Sequence, residues 1–297
     1  MIMRFAGRSI ARSAHRVGPA TGDLPFAAGL TLSLVICATG LAATPATAPA
    51  TRPVSVIGQV THPPITECSG LAASRRFPGV FWIHNDGGSA PAIYAITREG
   101  RLMAEIPVAA ENIDWEDIAI DDSGQLYLGD IGNNGSRRKT LLVHRIREPD
   151  PRGPAVKLTP DRTWTLAFPA DPFDCEALFV FGQRGYVISK LFTGGRATIY
   201  SFPLDTVEKT VTLTRVATVP IRAPVTGADI SADGRRLAIL TVTGLNVFPI
   251  DGDIAGVGKL TPVFIPYLHS NNEACCFAGQ DVLCIPETRQ VLLFRVP

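Results

Sequence analysis

Residues 114–134 have the sequence "DWEDIAIDDSGQLYLGDIGNN". Two short apolar runs, at 118–120 and 126–128, lie on either side of the turn-forming residues Asp121–Gly124. Short apolar runs separated by Asp and Gly are typical of two strands joined in a β-hairpin. The acidic residues of the stretch have three alternative explanations: ligands of a metal ion, catalytic carboxylates, or polar groups that end the strands.

The acidic-then-apolar step of this hairpin recurs along the chain. Five copies align: "ECSGLAAS" from Glu67, "WEDIAIDD" from Trp115, "DCEALFVF" from Asp174, "TGADISAD" from Thr226 and "NEACCFAG" from Asn272. The steps between their markers are 47, 60, 52 and 45 residues, the markers being Leu71, Ile118, Leu178, Ile230 and Cys275. Repeats of this length built from short strands are typical of the four-stranded blades of β-propellers.

The last copy is one strand short, because the chain ends at Pro297 directly after "VLLFRV". The segment "VSVIGQV", Val54–Val60, precedes the first copy and belongs to no other repeat. Closing the ring hides the sheet edges, so we predict that this strand completes the last blade. The predicted fold is an all-β, five-bladed β-propeller of four-stranded blades closed by an N-terminal strand. The alternative is six blades, with extra structure around "EPDPRGPAVKLTPD" in the 60-residue step.

The first fifty residues differ in composition from the rest of the chain. Arginines at positions 4, 8, 12 and 16 precede the uncharged stretch Phe26–Leu41, which an Ala/Thr/Pro-rich segment follows. A basic region, an apolar run and small residues at Ala-x-Ala spacing are typical of a secretory signal peptide. We therefore predict a signal peptide and linker over residues 1–50 and a single β-propeller domain over residues 51–297. A retained membrane anchor is the alternative, although the run is shorter than the roughly 20 residues of a typical span.

The predicted location of the protein is therefore periplasmic or extracellular, without stable membrane insertion after the signal is cleaved. The composition, with 46% hydrophobic residues in 297, fits a globular domain with a large core. The formal net charge of +1 supplies no basic patch, so nucleic-acid binding is not expected. The expected partner is a small molecule or a protein.

The repeated acids lie at the starts of the first strands, which line the channel of a propeller. We predict a ligand site at one mouth of this channel, formed by Glu67, Asp114, Glu116, Asp117, Asp174, Glu176, Lys190, Asp229 and Glu273. The polar ends of the second strands, among them Asp86, Asp130 and Glu287, are expected near the opposite mouth or along the channel wall.

Clustered carboxylates repel one another unless a cation or a basic residue compensates their charge. Ca²⁺ takes six to eight oxygen ligands and suits such a cluster. Its predicted ligands are Glu116, Glu176, Glu273 and Asp130. Capping of each blade by its own acid and acid–base catalysis remain as alternatives, and no zinc-type Cys or His spacing occurs in the sequence.

Five cysteines follow the predicted signal peptide, at positions 68, 175, 275, 276 and 284. An exported chain can oxidise its thiols, and an odd number leaves at least one free. A three-residue loop at Gly279–Asp281 would pair Cys276 with Cys284 in a cross-strand disulfide, whereas a two-residue loop would pair Cys275 with Cys284. Cys68 and Cys175 share a repeat position in different blades and are expected to stay unpaired.

Four segments carry a resemblance: "ECSGLAASRRFPGVFWIHNDGG", "DWEDIAIDDSGQLYLGDIGNN", "DCEALFV…GYVISK" and "VTGADISADGRRLAI". They resemble a family of exported bacterial β-propeller proteins, mostly of unknown function. More loosely, they are similar to SdiA-regulated (YjiK-like) propellers and to propellers with phytase- or esterase-like activity. The resemblance runs through residues 60–297. It implies, for the phytase-like case, calcium-dependent phosphoesterase chemistry at the channel acids and Lys190.

Three positions depart from the pattern of these relatives. Asn133 and Asn134 stand where relatives often carry a further Asp, and Cys68 stands where Ser is common. One carboxylate fewer would weaken a cation site. The first functional hypothesis is therefore an exported propeller that binds a small ligand or divalent cation at an acidic channel mouth, with no assigned reaction. The alternatives are a metal-dependent phosphoesterase or esterase-like hydrolase, in which a cation activates water, and a protein-interaction platform.

Overall fold

The computed structural model describes residues 53–191, 195–269 and 271–297. The predicted signal peptide and linker over residues 1–50 lie outside the described residues. Nearly all regular structure in the described part is β-strand, and the one short 3₁₀ helix there covers Ala255–Lys259. Within the same residues, no helix has the length and apolar character needed to cross a membrane.

The described strands form five sheets, which are the blades of a propeller. The first strand of the chain is β1 (Val54–Gln59). Blade 1 contains β2 (Cys68–Ala73), β3 (Val80–Asn85), β4 (Ala92–Thr97) and β5 (Leu102–Pro107). Blade 2 contains β6 (Trp115–Ile120), β7 (Gln125–Asp130), β8 (Thr140–Arg147) and β9 (Arg162–Ala167). All neighbours within these two blades are antiparallel.

Blades 3 and 4 repeat this arrangement. Blade 3 contains β10 (Cys175–Phe181), β11 (Arg184–Ser189), β12 (Thr198–Pro203) and, after the short β13 (Thr210–Thr212), β14 (Thr214–Thr218). Blade 4 contains β15 (Val225–Ile230), β16 (Arg236–Thr241), β17 (Gly244–Pro249) and β18 (Val263–Pro266). The strand β13 does not belong to blade 3. It pairs in parallel with β9 and adds a fifth, outer strand to blade 2, which the sequence did not predict.

Blade 5 is closed by the N-terminal strand, as predicted. It contains β19 (Asn272–Ala278), β20 (Asp281–Pro286) and β21 (Gln290–Phe294), and β1 pairs antiparallel with β21. Val54 lies opposite Phe294, and Gln59 lies opposite Gln290. The edge of the last blade is thereby covered by the first strand of the described chain.

The five blades pack side by side into a ring through apolar faces. The innermost strand of each blade contacts the innermost strands of both neighbouring blades. Five hydrophobic clusters fill the five blade interfaces; Leu71 and Leu283 share the one between blades 1 and 5, and Phe179 and Ile239 share the one between blades 3 and 4. The six-bladed alternative is therefore wrong. Residues 148–161, in the long repeat step, form a loop with a single bridge between Leu158 and Val108.

The cysteines correct one prediction. The hairpin between β19 and β20 has a two-residue loop, which places Cys275 opposite Cys284 and Cys276 opposite Leu283. Cys276 packs in the interface with blade 1, whereas Cys284 packs in the interface with blade 4, so the predicted Cys276–Cys284 disulfide is wrong. All five described cysteines are buried free thiols, including Cys68 and Cys175 as expected.

Candidate functional site

A β-bulge interrupts each innermost strand one or two residues after its start. The pairing of β2 with β3 shifts between Cys68 and Gly70, and the first hairpins of the other four blades shift at equivalent positions. A bulge leaves one residue without a partner across the ladder and re-aims its side chain. We call these five residues the bulge ring: Ser69, Glu116, Glu176, Thr226 and Glu273. Three glutamates that the sequence placed at one repeat position are therefore bulge residues.

Two further sets of equivalent residues surround the bulge ring. The upstream ring lies two residues before it and consists of Glu67, Asp114, Asp174, Pro224 and Asn271. The return ring lies just after the second strand of each blade, and its backbone N–H groups donate to the carbonyls of the upstream ring. Its members are Asp86, Gly132, Lys190, Val242 and Glu287.

These hydrogen bonds correct the expected position of the second-strand ends. An antiparallel hairpin returns the chain to the end where it began, so Asp86, Lys190 and Glu287 lie at the same mouth as the first-strand acids. Asp86 and Glu287 were expected near the opposite mouth or along the channel wall, whereas Lys190 was already predicted in the ligand site. The mouth thus combines eight carboxylates with one ammonium among its ring positions: Glu67, Asp86, Asp114, Glu116, Asp174, Glu176, Glu273 and Glu287 against Lys190.

A cavity of about 150 Å³ opens between these rings. It is lined by Glu67, Cys68, Ser69, Asp86, Glu116, Asn134, Glu176, Lys190, Glu273 and Glu287. Five of the nine residues predicted for the ligand site therefore line one cavity. Asp86 and Glu287, which were not predicted as site residues, line it as well.

Three carboxylates at one side of the mouth converge closely. Asp86, Asp114 and Glu116 each place an oxygen within 4.8 Å of the oxygens of the other two. Gly132 makes this convergence possible, because a Cβ atom there would collide with the carboxylates of Glu116 and Asp114. A Cβ on Gly87 would also meet Asp114. The return ring thus has no side chain in blade 2, whereas the other blades carry Asp, Lys, Val or Glu at this position.

Burial and mutual repulsion disturb the ionisation of these acids. Burial, followed by the nearby Asp86, raises the pKa of Asp114 to about 6. The pKa of Glu116 lies well above its usual value, because the side chain is buried and faces Asp86 and Asp114. Burial raises the pKa of Glu273 to about 8 against the opposing charge of Lys190. Lys190 therefore compensates the negative charge of these carboxylates only in part.

Lys190 is the single basic residue among the described residues that line the cavity. Its ammonium forms an ion pair with Oε1 of Glu176, and both side chains are largely buried. The other oxygen of Glu176, Oε2, has no hydrogen-bond partner among the described residues. The Thr226 hydroxyl of the bulge ring is likewise buried without a partner there. Buried polar atoms of this kind are uncommon in folded proteins and favour a ligand.

Two predicted site acids lie deeper and have structural partners. Asp117 follows the bulge ring, where the other blades carry Gly70, Ala177, Gly227 and Ala274. Its carboxylate accepts hydrogen bonds from the backbone N–H groups of Ile118, Leu178 and Ala228, on blades 2, 3 and 4. It therefore links three blades across the channel and does not line the mouth cavity.

Asp229 was aligned with the mouth acids because Ile230 was taken as the marker of the fourth repeat. The bulge at Thr226 shows that Ala228 is the residue equivalent to Leu178, so this alignment was wrong by two residues. Asp229 lies three residues beyond the bulge ring. Its carboxylate accepts a hydrogen bond of 2.8 Å from the N–H of Phe277 in blade 5.

Asp130 was predicted as a metal ligand, but it does not line the cavity. Its Oδ1 accepts hydrogen bonds from Arg138 at 2.7 Å and from the N–H of Asp114 at 3.1 Å. It therefore holds the backbone of Asp114 in place. Asp174 has a related role, because its Oδ1 accepts the N–H of Asn133 at 2.7 Å and so fixes the loop after β7.

No protein-family model matches this sequence, and no curated protein matches it. Among solved structures it is similar to a nidogen/laminin complex, with 13% identity over 76% of this chain and 74% of that one and a TM-score of 0.47. It is also similar to XC5397 from Xanthomonas campestris, described as a gluconolactonase. The identity is 16% over 77% of this chain and 72% of that one, with a TM-score of 0.47. The WD40 repeats of RRP9 match with 9% identity over 82% and 97% and a TM-score of 0.44. These similarities identify no family for this chain.

Proposed function

We propose that this propeller binds a divalent cation such as Ca²⁺ at its acidic mouth, through Asp86, Asp114 and Glu116. The observation that carries the proposal is the separation of their oxygens, which is at most 4.8 Å. Oxygens about 2.4 Å from one Ca²⁺ ion lie at most about 4.8 Å apart. The three carboxylates therefore meet the distance requirement for each pair of oxygens that shares one ion.

The charge of the mouth supports the same proposal. The raised pKa values of Asp114 and Glu116 arise from burial and from neighbouring acids. A divalent cation would replace this repulsion with attraction, and hard oxygen ligands favour Ca²⁺ or Mg²⁺ over softer metals. Three carboxylates leave several coordination positions, which water or a small ligand would fill from the open side of the cavity.

The experiment is a calcium titration of the purified protein after EDTA treatment, followed by calorimetry and thermal unfolding. We expect about one Ca²⁺ per chain with a Kd on the order of 0.1 mM, typical of extracellular sites. Calcium at 100 times Kd would stabilise the fold by about 2.7 kcal/mol. Absence of both binding heat and thermal stabilisation at 10 mM Ca²⁺ would refute the proposal.

Matched variants locate the site. Glu116→Gln is expected to abolish the stabilisation, whereas Asp122→Asn, at a side chain that is 89% exposed, should leave it unchanged. Gly132→Ala removes no ligand but introduces a methyl group against Asp114 and Glu116, so it should weaken binding at least tenfold. Gly135→Ala in the same loop meets only the flexible side chain of Arg137 and is the control.

We also propose that the site binds without turnover and that the protein is exported. The signal-like composition of residues 1–50 supports export, and amino-terminal sequencing of the protein secreted by its host would test it. Hydrolysis of p-nitrophenyl acetate or p-nitrophenyl phosphate by the calcium-loaded protein, lost in Glu116→Gln, would contradict binding without turnover.

A further inference from the structure

Lys190 of blade 3 and Gly132 of blade 2 occupy equivalent positions of the return ring. They differ in what they offer to the bulge glutamate of their own blade. At blade 2 the glycine has no side chain, and the carboxylates of Glu116 and Asp114 lie where a Cβ atom would be. At blade 3 the lysine side chain contacts Glu176, the bulge residue of its own blade. The equivalent bulge glutamates are thus paired with further carboxylates in blade 2 and with a covalently attached cation in blade 3.

Resting on the proposed function, we infer that the mouth has two cation positions and that the Lys190 ammonium permanently fills the second, beside Glu176 and Glu273. Lys190 thereby limits the mouth to one divalent cation. Three carboxylates define the open position, and the lysine takes the place of an ion at the other.

The surroundings of Glu176 support this assignment. Its side chain is 5% exposed, and the ammonium contacts Oε1 and leaves Oε2 without a hydrogen-bond partner among the described residues. A lysine ammonium interacts as a compact point charge. A Ca²⁺ ion in its place would accept both oxygens, because calcium binds carboxylates in bidentate as well as monodentate fashion.

The charge of Lys190 acts well beyond its own blade. Lys190 lines the same cavity as Asp86 of blade 1, Glu116 of blade 2 and Glu273 of blade 5. The field that reaches Glu116 also acts on a cation bound there and repels it. Removal of the ammonium should therefore vacate one position and strengthen binding at the other.

The test is the number of Ca²⁺ ions bound by the EDTA-treated wild-type protein and by Lys190→Ala, measured by calorimetry and equilibrium dialysis. We expect one ion for the wild type and two for Lys190→Ala, with the first bound at least fivefold more tightly. Lys190→Arg keeps the charge and should still bind one. Lys190→Gln, which keeps most of the side chain, provides a second neutral variant if Lys190→Ala does not fold.

The outcomes separate this inference from the proposed function. One ion in both wild type and neutral variant, with Kd unchanged within twofold, would refute the inference and leave the proposed site intact. No ion in the wild type and one in the variant would refute the proposed function but support a position filled by Lys190. No ion in either would refute both. Glu176→Gln in the Lys190→Ala background should return the count from two to one.

Discussion

Glu116 and Asp117 are neighbours on one innermost strand and are both buried, but their carboxylates meet opposite surroundings. The carboxylate of Asp117 accepts hydrogen bonds from three backbone N–H groups. Glu116 faces Asp86 and Asp114, and its Oε2 accepts a hydrogen bond of 3.3 Å from the hydroxyl group of Ser69. The difference shows that burial of an acid does not define its role. Its role depends on the hydrogen-bond donors around it: with several donors it stabilises the ring, and without them it can bind a cation.

The largest expected effect is on the carboxylate that joins three blades. Asp117→Asn keeps one acceptor oxygen and replaces the other with an NH2 donor, so in either orientation this NH2 group faces at least one backbone N–H that has lost its acceptor. We expect the free energy of unfolding to fall by about 3 kcal/mol, since each unsatisfied buried donor costs roughly 1–3 kcal/mol. Urea denaturation measures this loss. A loss no larger than that of the exposed control Asp122→Asn would mean that Asp117 does not hold the blades together.

The second effect is on the pH dependence of stability without metal. Folding raises the pKa of Asp114 to about 6 and of Glu273 to about 8, so the folded state binds protons that the unfolded chain has released. Stability therefore falls as pH rises from about 4 to about 8. Calcium should flatten this profile, because it binds the deprotonated acids. Denaturation curves at pH 5 and pH 8, with and without EDTA, measure it, and a stability that rises over this range would contradict it.

The third effect is a gain in stability, opposite in sign to the first effect, although both substitutions replace a carboxylate with an amide. Glu116→Gln removes one of the mutually repelling carboxylates, so the metal-free protein should become more stable by about 1 kcal/mol at pH 7. The gain should vanish in saturating calcium, where the wild type is stabilised and the variant is not. A destabilised metal-free Glu116→Gln would place Glu116 with Asp117 among the structural acids.

The smallest effect is expected at the rim. Glu67 lines the same cavity but is exposed, so water screens its charge. Glu67→Gln should change stability by less than about 0.5 kcal/mol and calcium affinity by less than about threefold. A tenfold loss of affinity in a titration would make Glu67 a direct ligand and enlarge the proposed site.

The sequence predicted the propeller and its closure, because apolar runs, turn residues and the unpaired segment Val54–Val60 are visible in the residues alone. It also placed Glu116, Glu176 and Glu273 at one repeat position, and the structure shows all three at the equivalent bulge. It could not show why, because a bulge adds one residue to one strand and leaves the apolar pattern almost unchanged.

The errors about Asp229 and Cys284 both arose from local backbone geometry that the residue pattern does not show. Aligning Ile230 with Leu178 moved Asp229 to the mouth, and the two-residue loop before Asp281 changed the partner of Cys284. The position of Asp86 could have been predicted, because an antiparallel hairpin brings its two ends together. The convergence of Asp114 and Glu116 on Gly132 required the structure, since only its surroundings distinguish this glycine from any other loop glycine.

The closing strand has a consequence for how the chain folds. Four blades pair strands that are near one another in sequence, whereas β1 must find β21, and Arg295 contacts Ser55 across a separation of 240 residues. Bringing residues so far apart in sequence together costs chain entropy before the contacts between them stabilise the fold. Ring closure should therefore be the late and slow step of folding. Until then blade 5 keeps an open edge, and that edge is where an incompletely folded chain would pair with another copy.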